Sequence, residues 1–260
     1  MKRASDMRVT WWGHATTTIE ANGTRLLTDP VLTSRIAHLR RRRGPAPARA
    51  ARRCDAVLIS HLHADHLHLT SLPLIAPDAA LIVPRGAAKL IHADSGPEYS
   101  DRCIEVSPGN QIRIGSLDIT AVTAHHDGRR LPWSSYSAQA LGYRVDGSPS
   151  VWFAGDTDLY DGLAAEAGSV DVALVPVGGW GPSLGPGHLD PIRAAEAVRR
   201  VGASTAVPVH FGTFWPIGCD WIKPELFLPP GERFEAAMKQ LDPEVKVKVL
   251  APGQSIEVPV

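Results

Sequence analysis

Ser60-His61-Leu62-His63-Ala64-Asp65-His66 closes the short apolar run Ala56–Ser60 (AVLIS). A run of this length, apolar throughout, reads as a strand buried on both faces. The ligand-type side chains therefore stand at the carboxyl end of a strand. In an extended segment, residues two apart point to the same side, so His61 and His63 can present two imidazoles together. Asp65 and His66 follow as the chain turns and can reach a second point close by. Such residue types gathered at a strand end have no packing purpose; they are what a divalent cation needs.

A local cluster rarely completes a metal site, so further ligands are expected from distant loops. Three candidates also follow apolar runs. His125 follows Leu117–Ala124, Asp156 follows Ser150–Ala154 within Ala154-Gly155-Asp156-Thr157, and His210 follows Ala206–Val209. With the first cluster they make His61, His63, Asp65, His66, His125, Asp156 and His210, a set suited to two divalent cations sharing one carboxylate and one water. Imidazole and carboxylate suit Zn²⁺, with Mn²⁺ or Fe²⁺ as alternatives. Two cations about 3.5–4 Å apart lower the pKa of a bridging water towards neutrality and polarise a phosphoryl or carbonyl oxygen. Such a site needs no Ser or Cys nucleophile. The sequence has neither GxSxG nor GxxxxGK[ST], which sets aside serine hydrolases and P-loop enzymes.

The remainder of the chain fits an enzyme. Its 260 residues, 44% hydrophobic and 21% charged, can bury a sizeable core, and one domain over residues 1–260 is expected. Lys+Arg and Asp+Glu are both 27, and this zero net charge argues against a protein that coats nucleic acid or an anionic membrane. No apolar run has the length of a spanning helix. Met1–Asp6 is basic without an apolar stretch behind it, so no secretory signal is read and a cytoplasmic location is expected. Cys54, Cys103 and Cys219 are widely spaced and form no CxxC, hence no disulfide framework or thiolate zinc site. Arg35–Arg53 holds eight Arg and no acid; it reads as a basic loop, either a solvated linker or an anion-attracting lip beside the His cluster.

Strands are expected at Arg8–Trp12, Thr16–Glu20, Arg25–Thr28, Ala80–Val83, Gln111–Ile114, Ala140–Val145, Val170–Pro176, Lys246–Leu250 and Ser255–Val258, besides the runs named above. Asn22-Gly23 is a strong hairpin turn. Helices are expected at Gly86–Ala93, Leu159–Ala167, Pro191–Val201 and Glu232–Leu241, the third opened by Asp190 as N-cap before Pro191. Two blocks of strands with helices between them suggest an α/β fold of packed sheets with helices outside.

These motifs meet a known family. HxHxDH, a later His, the GDT aspartate and a final His resemble the metallo-β-lactamase superfamily, which implies a four-layer αββα sandwich. Trp12-Gly13-His14-Ala15-Thr16, Leu27-Thr28-Asp29-Pro30-Val31, Ala124-His125-His126-Asp127-Gly128-Arg129 and Gly187-His188-Leu189-Asp190-Pro191 look like the branch containing L-ascorbate-6-phosphate lactonase and N-acyl-phosphatidylethanolamine phospholipase D. The resemblance runs from Trp12 to Phe211. It implies one cation held by His61, His63, His125 and Asp156, and a second by Asp65, His66, Asp156 and His210. His125 is preferred to His126 because the phospholipase-like pattern has an aromatic residue directly after the ligand His, a place His126 occupies.

Asp65 and His188 are the candidate catalytic residues, His188 matching a substrate-facing position that contacts an oxyanion or protonates the leaving group. His14 and Asp29 are read as orienting ligands, and His38, His68 and His92 as surface residues. Trp133, Trp180 and Trp221 are candidates for an apolar mouth or for core. The implied activity is a binuclear metal-dependent hydrolase of the phosphodiesterase type acting on a small or lipid-like anionic substrate. A lactonase or carboxyl-ester hydrolase is the alternative with the same site. A nucleic-acid-binding protein with structural metals is the alternative of another class. A redox di-iron role is disfavoured, because His63 stands where that branch of the superfamily has Glu.

Overall fold

The computed structural model describes residues 7–259; Met1–Asp6, read above as no secretory signal, lies outside them. The expected strands assemble into two seven-stranded sheets. The first runs Ser255–Val258, Met7–Gly13, Thr16–Ala21, Thr24–Thr28, Ala56–Leu58, Ala80–Pro84, Cys103–Val106 in spatial order. The second runs Lys246–Val247, Thr205–Val209, Val172–Pro176, Val151–Phe153, Leu141–Asp146, Leu117–Thr123, Gln111–Ile114. Both share one plan. Four strands pair antiparallel, and the other three are added in parallel through crossovers. The Asn22-Gly23 turn has φ of 50° and 79°, the left-handed pair that a two-residue hairpin of this hand requires.

Side-chain alternation explains the layers. Leu26, Ala56, Leu58 and Ile82 face inward and pack with Ile119, Val122, Tyr143 and Val145 of the second sheet. Their neighbours Leu27, Val57, Leu81 and Val83 face outward and bury Leu72, Leu90 and Ile91, the last two from the helix Ala87–Ser95. Pro191–Arg200 and Pro229–Leu241 cover the second sheet with Ala194, Val198, Phe234 and Met238. The result is an αββα sandwich. No helix among the described residues is long and apolar enough to cross a membrane.

Several expected elements differ in the structure, among them Lys246–Leu250, which is a strand only over Lys246–Val247. The helix expected from Leu159 is helical only over Leu163–Ala167. Cys103–Val106, with Glu105 interrupting its apolar residues, is an unanticipated edge strand. Arg35–Arg53 is not simply a loop. Leu39–Arg41 pairs with Arg35–Ile36 on one side and Phe214–Pro216 on the other, a third, three-stranded sheet beside the cluster of histidines. Arg41 is buried there, donating to the carbonyls of Trp12 and Val31 at 3.0 and 3.4 Å.

Candidate metal centre

Parallel sheets expose the carboxyl ends of their strands as a crevice where loops converge. Ala56–Leu58 leads to His61, Thr24–Thr28 to Asp29, Leu117–Thr123 to His126, Val151–Phe153 to Asp156 and Thr205–Val209 to His210, all at this one edge. His14 comes from the turn after Met7–Gly13 at the same edge, in a left-handed conformation with φ of 54°. His210 is also left-handed, with φ of 60°, and its N–H donates to the His14 carbonyl at 2.9 Å. Two strained backbones thus brace each other beneath the site.

The donor atoms fall into overlapping groups. Nε2 of His61 and Nε2 of His126 lie 3.0 and 3.1 Å from His63 Nδ1. Nε2 of His66 and Nε2 of His210 are 3.0 Å apart, and Asp65 Oδ2 stands 3.6 and 3.5 Å from them. Asp156 Oδ2 is 3.1 Å from His66, 3.3 Å from His210 and 3.5 Å from His188 Nε2. The sets His61/His63/His126, His14/Asp65/His66/His210, His61/His66/Asp156 and His126/Asp156/His188 each bring one donor atom per residue within 4.8 Å of one another.

The neighbours of these histidines fix which nitrogen carries the proton. His66 Nδ1–H donates to Asp29 Oδ2 at 2.6 Å, and His210 Nδ1–H to the Gly178 carbonyl at 3.0 Å. His126 and His188 donate their Nδ1–H to the carbonyls of Gly187 and Gly185, at 2.8 and 3.0 Å. Ser60 Oγ donates to Asp29 Oδ2 at 2.5 Å and so accepts from His61 Nδ1, 2.9 Å away. The Nε2 lone pairs of His61 and His126, and the Nε2 atoms of His66, His188 and His210 beside the two carboxylates, are therefore turned towards one another. Asp156 Oδ1, also buried, has no hydrogen-bond partner among the described residues. Converging lone pairs and an orphaned carboxylate oxygen repel unless positive charge lies between them. The residues present fit divalent cations.

The electrostatics agree. Burial lowers His61 well below the usual imidazole range, His14 to about 3 and His126 to about 4, with neighbouring imidazoles adding to the effect at His61 and His14. These rings are neutral, as ligands must be. Burial opposes the charged forms of Asp65 and Asp156, yet both are held well below the carboxylate range: Asp65 by His66 and by hydrogen bonds from His14 and His210, Asp156 by His210 and His66. His188 is raised despite burial, by its hydrogen bond to Asp156 and that carboxylate's charge.

The structure brings together His61, His63, Asp65, His66, Asp156 and His210, with His188 at the rim. It does not bring His125. That side chain is exposed and stacks on Tyr160 at 4.2 Å between centroids, while the His125 backbone N–H donates to Thr157 Oγ1 at 2.9 Å. His126 takes the expected place of His125. Both residues follow the same strand, and contacts with distant Thr157 and Tyr160 go with His125 lying outward. His14 and Asp29 do hold donors: His14 Nε2 lies 2.8 Å from Asp65 Oδ2, and Asp29 is fully buried against His66. His68, read as a surface residue, is buried, with Nδ1 2.7 Å from Ser71 Oγ. Trp133 and Trp221 are surface residues, 81% and 79% exposed, while Trp180 packs edge-on to His38. Sequence reasoning gave Ser60 no role, although its hydroxyl directly precedes the ligand-type run.

Residues 24–211 match the family described as the Beta-lactamase superfamily domain. The chain belongs to this superfamily. Among its relatives in the superfamily, a protein of Methanopyrus kandleri named metal-dependent hydrolase is 31% identical, over 96% of this chain and all of that one. A Mycobacterium tuberculosis protein, named only as uncharacterized, is 30% identical over 98% of this chain and 69% of its own length. A solved metallo hydrolase from Ignicoccus hospitalis shares the fold, with a TM-score of 0.72 at 19% identity, covering 98% of this chain and 100% of that one. The matched segment begins at the strand leading to Asp29 and ends just past His210, so it contains the whole donor cluster except His14.

Proposed function

We infer that this metal-dependent hydrolase of the beta-lactamase superfamily holds two cations and cleaves phosphodiesters. His61, His63 and His126 would hold one cation, Asp65, His66 and His210 the other, with Asp156 reaching both. The observation that carries the reading is the convergence of five Nε2 atoms and two carboxylates on one site, with Asp156 Oδ1 left unpartnered. The His-rich donor set favours Zn²⁺ over Mg²⁺ or Ca²⁺. When bound, such a pair supplies a water activated at neutral pH and Lewis acidity towards a phosphoryl oxygen.

The protein's own part is positioning and charge. Asp29, Ser60, Gly178 and Gly187 hold the rings in the tautomer that leaves Nε2 free. His188, whose side chain is 20% exposed, stands at the mouth beside Asp156, and that carboxylate favours its protonated form. It can bind a non-bridging oxygen of an anionic substrate, or give that proton to the leaving oxygen. In that form it would favour a charged diester over a neutral lactone. The Arg-rich stretch does not support a nucleic-acid-binding role. Arg41 is used internally, Arg42 pairs with Asp220 at 2.9 Å, and Arg43 lies over the Trp11 ring.

The test is turnover of bis-p-nitrophenyl phosphate and of a sugar lactone, with and without chelator. Chelator-sensitive diester cleavage, faster than lactone opening, is expected. Lactone hydrolysis alone would move the assignment to carbonyl chemistry, and no hydrolysis of either would overturn it.

A further inference from the structure

We propose that Arg130 is a positioning residue that holds the His61/His63/His126 cation site together. The inference rests on the two-cation reading above. Arg130 lies four residues beyond His126. Its segment folds back on itself: Arg130 N–H donates to the Tyr136 carbonyl at 3.0 Å, Ala138 N–H donates to the Gly128 carbonyl at 3.1 Å, and Arg129 bridges Ser137. The return is so close that a Cβ on Gly128 would lie 1.6 Å from the Ala138 carbonyl oxygen, so only glycine fits. From this brace the Arg130 guanidinium reaches across to the other half of the sandwich. It donates to the carbonyls of Leu62 and Leu67 at 2.6 and 2.7 Å. Among the described residues it makes no ion pair.

Those two carbonyls frame the segment carrying His63, Asp65 and His66. Between them the chain makes one turn, with the N–H groups of His66 and Leu67 both donating to the His63 carbonyl at 3.0 and 2.9 Å. The Arg130 clamp therefore fixes the backbone on both sides of His63 and joins it to the loop that carries His126.

His63 is the residue that needs this. Every other would-be ligand of the two trios has its own anchor outside those trios. His61 has Ser60 and His126 has Gly187. Asp65 has His14, His66 has Asp29 and His210 has Gly178. The His63 ring bonds, among the described residues, only to His61 and His126, which are ligands themselves. Its side chain is positioned through its backbone, and Arg130 holds that backbone. Losing the clamp should loosen the three-imidazole site and leave the Asp65/His66/His210 site, tied by His14 and Asp29, largely intact. Groups that orient ligands typically control 10–100-fold in metal affinity.

The experiment titrates metal-stripped full-length protein with Zn²⁺ alone against a chromophoric chelator. His126→Ala and His210→Ala identify which binding step belongs to which site. Arg130→Met is expected to weaken the step that His126→Ala removes by roughly 10–100-fold, and to change the other step by less than about threefold. Arg130→Lys, whose ammonium can reach one of the two carbonyls, should recover part of the loss and serves if the Met variant fails to fold. Arg130→Met added to His126→Ala should leave the remaining step where His126→Ala alone puts it. Equal weakening of both steps, or none in either Arg130 variant, overturns the proposal. A wild type that takes up one ion refutes the two-cation reading instead; the clamp is then supported if Arg130→Met weakens that ion and overturned if it does not.

Discussion

Asp29→Asn exchanges one oxygen for an NH₂ in a fully buried carboxylate that accepts from three groups: Ser60 N–H at 2.7 Å, Ser60 Oγ at 2.5 Å and His66 Nδ1 at 2.6 Å. The amide has two orientations, and neither reproduces this. If its NH₂ faces the Ser60 N–H, two donors collide. If its NH₂ faces His66, the imidazole must accept at Nδ1 and carry its proton on Nε2. That is the atom 3.0 Å from His210 Nε2 and 3.1 Å from Asp156. A proton there hydrogen-bonds acceptably in the metal-free protein and blocks the cation. The cost should therefore fall mainly on metal binding. A loss of about 10–100-fold is expected at the Asp65/His66/His210 site, or about 1.4–2.8 kcal/mol. The metal-free fold should lose only about 1–3 kcal/mol from the weakened hydrogen bonds. Competition titration with Zn²⁺ measures the first, and thermal melting of the stripped protein the second. Unchanged affinity in a correctly folded Asp29→Asn protein would refute the tautomer argument.

Further outcomes follow from other residues. His126→Ala should abolish diester turnover and remove one Zn²⁺ step, whereas His125→Ala should keep both, read by metal analysis beside the activity assay. Asp190 accepts from the N–H groups of Ile192 and Arg193 at 2.9 and 3.0 Å, so Asp190→Ala should cost about 1 kcal/mol. For a chain of this size that lowers Tm by about 2–4 °C. Glu196 is held at about 2 by hydrogen bonds from Arg199 and Arg200, below its ordinary 4.5. A lowered carboxylate stabilises above its unfolded value and loses that contribution as pH falls towards the folded one. Glu196→Gln should thus melt slightly lower at pH 7, by less than about 1 kcal/mol for so exposed a pair. The gap should narrow from pH 4.5 downwards in parallel pH melts.

The stretch from Ser60 to His66 was legible because its ligand-type residues are contiguous and their strand is uniformly apolar. Asp156 and His210 were legible for a related reason: each ends a run whose side chains must be buried, which places the next polar group at the sheet's edge. The choice between His125 and His126 was not. Strand alternation stops at Thr123, and His125 beyond it meets Thr157 and Tyr160, more than thirty positions away. The arginine stretch misled because charge suggests solvent, whereas Arg41 satisfies main-chain carbonyls and its strand pairs with Phe214–Pro216. Arg130 likewise gives no sequence signal of its role, since its partners are the carbonyls of Leu62 and Leu67 and carbonyls have no residue identity.

Scattered histidines and two aspartates are proposed to enclose a pair of cations. Anomalous diffraction from Zn²⁺-loaded crystals tests it directly. Two peaks about 3.5–4 Å apart are expected, one against His61, His63 and His126, the other against Asp65, His66 and His210, with Asp156 touching both. A single peak, or peaks coordinated by His125 with His126 turned away, would contradict it.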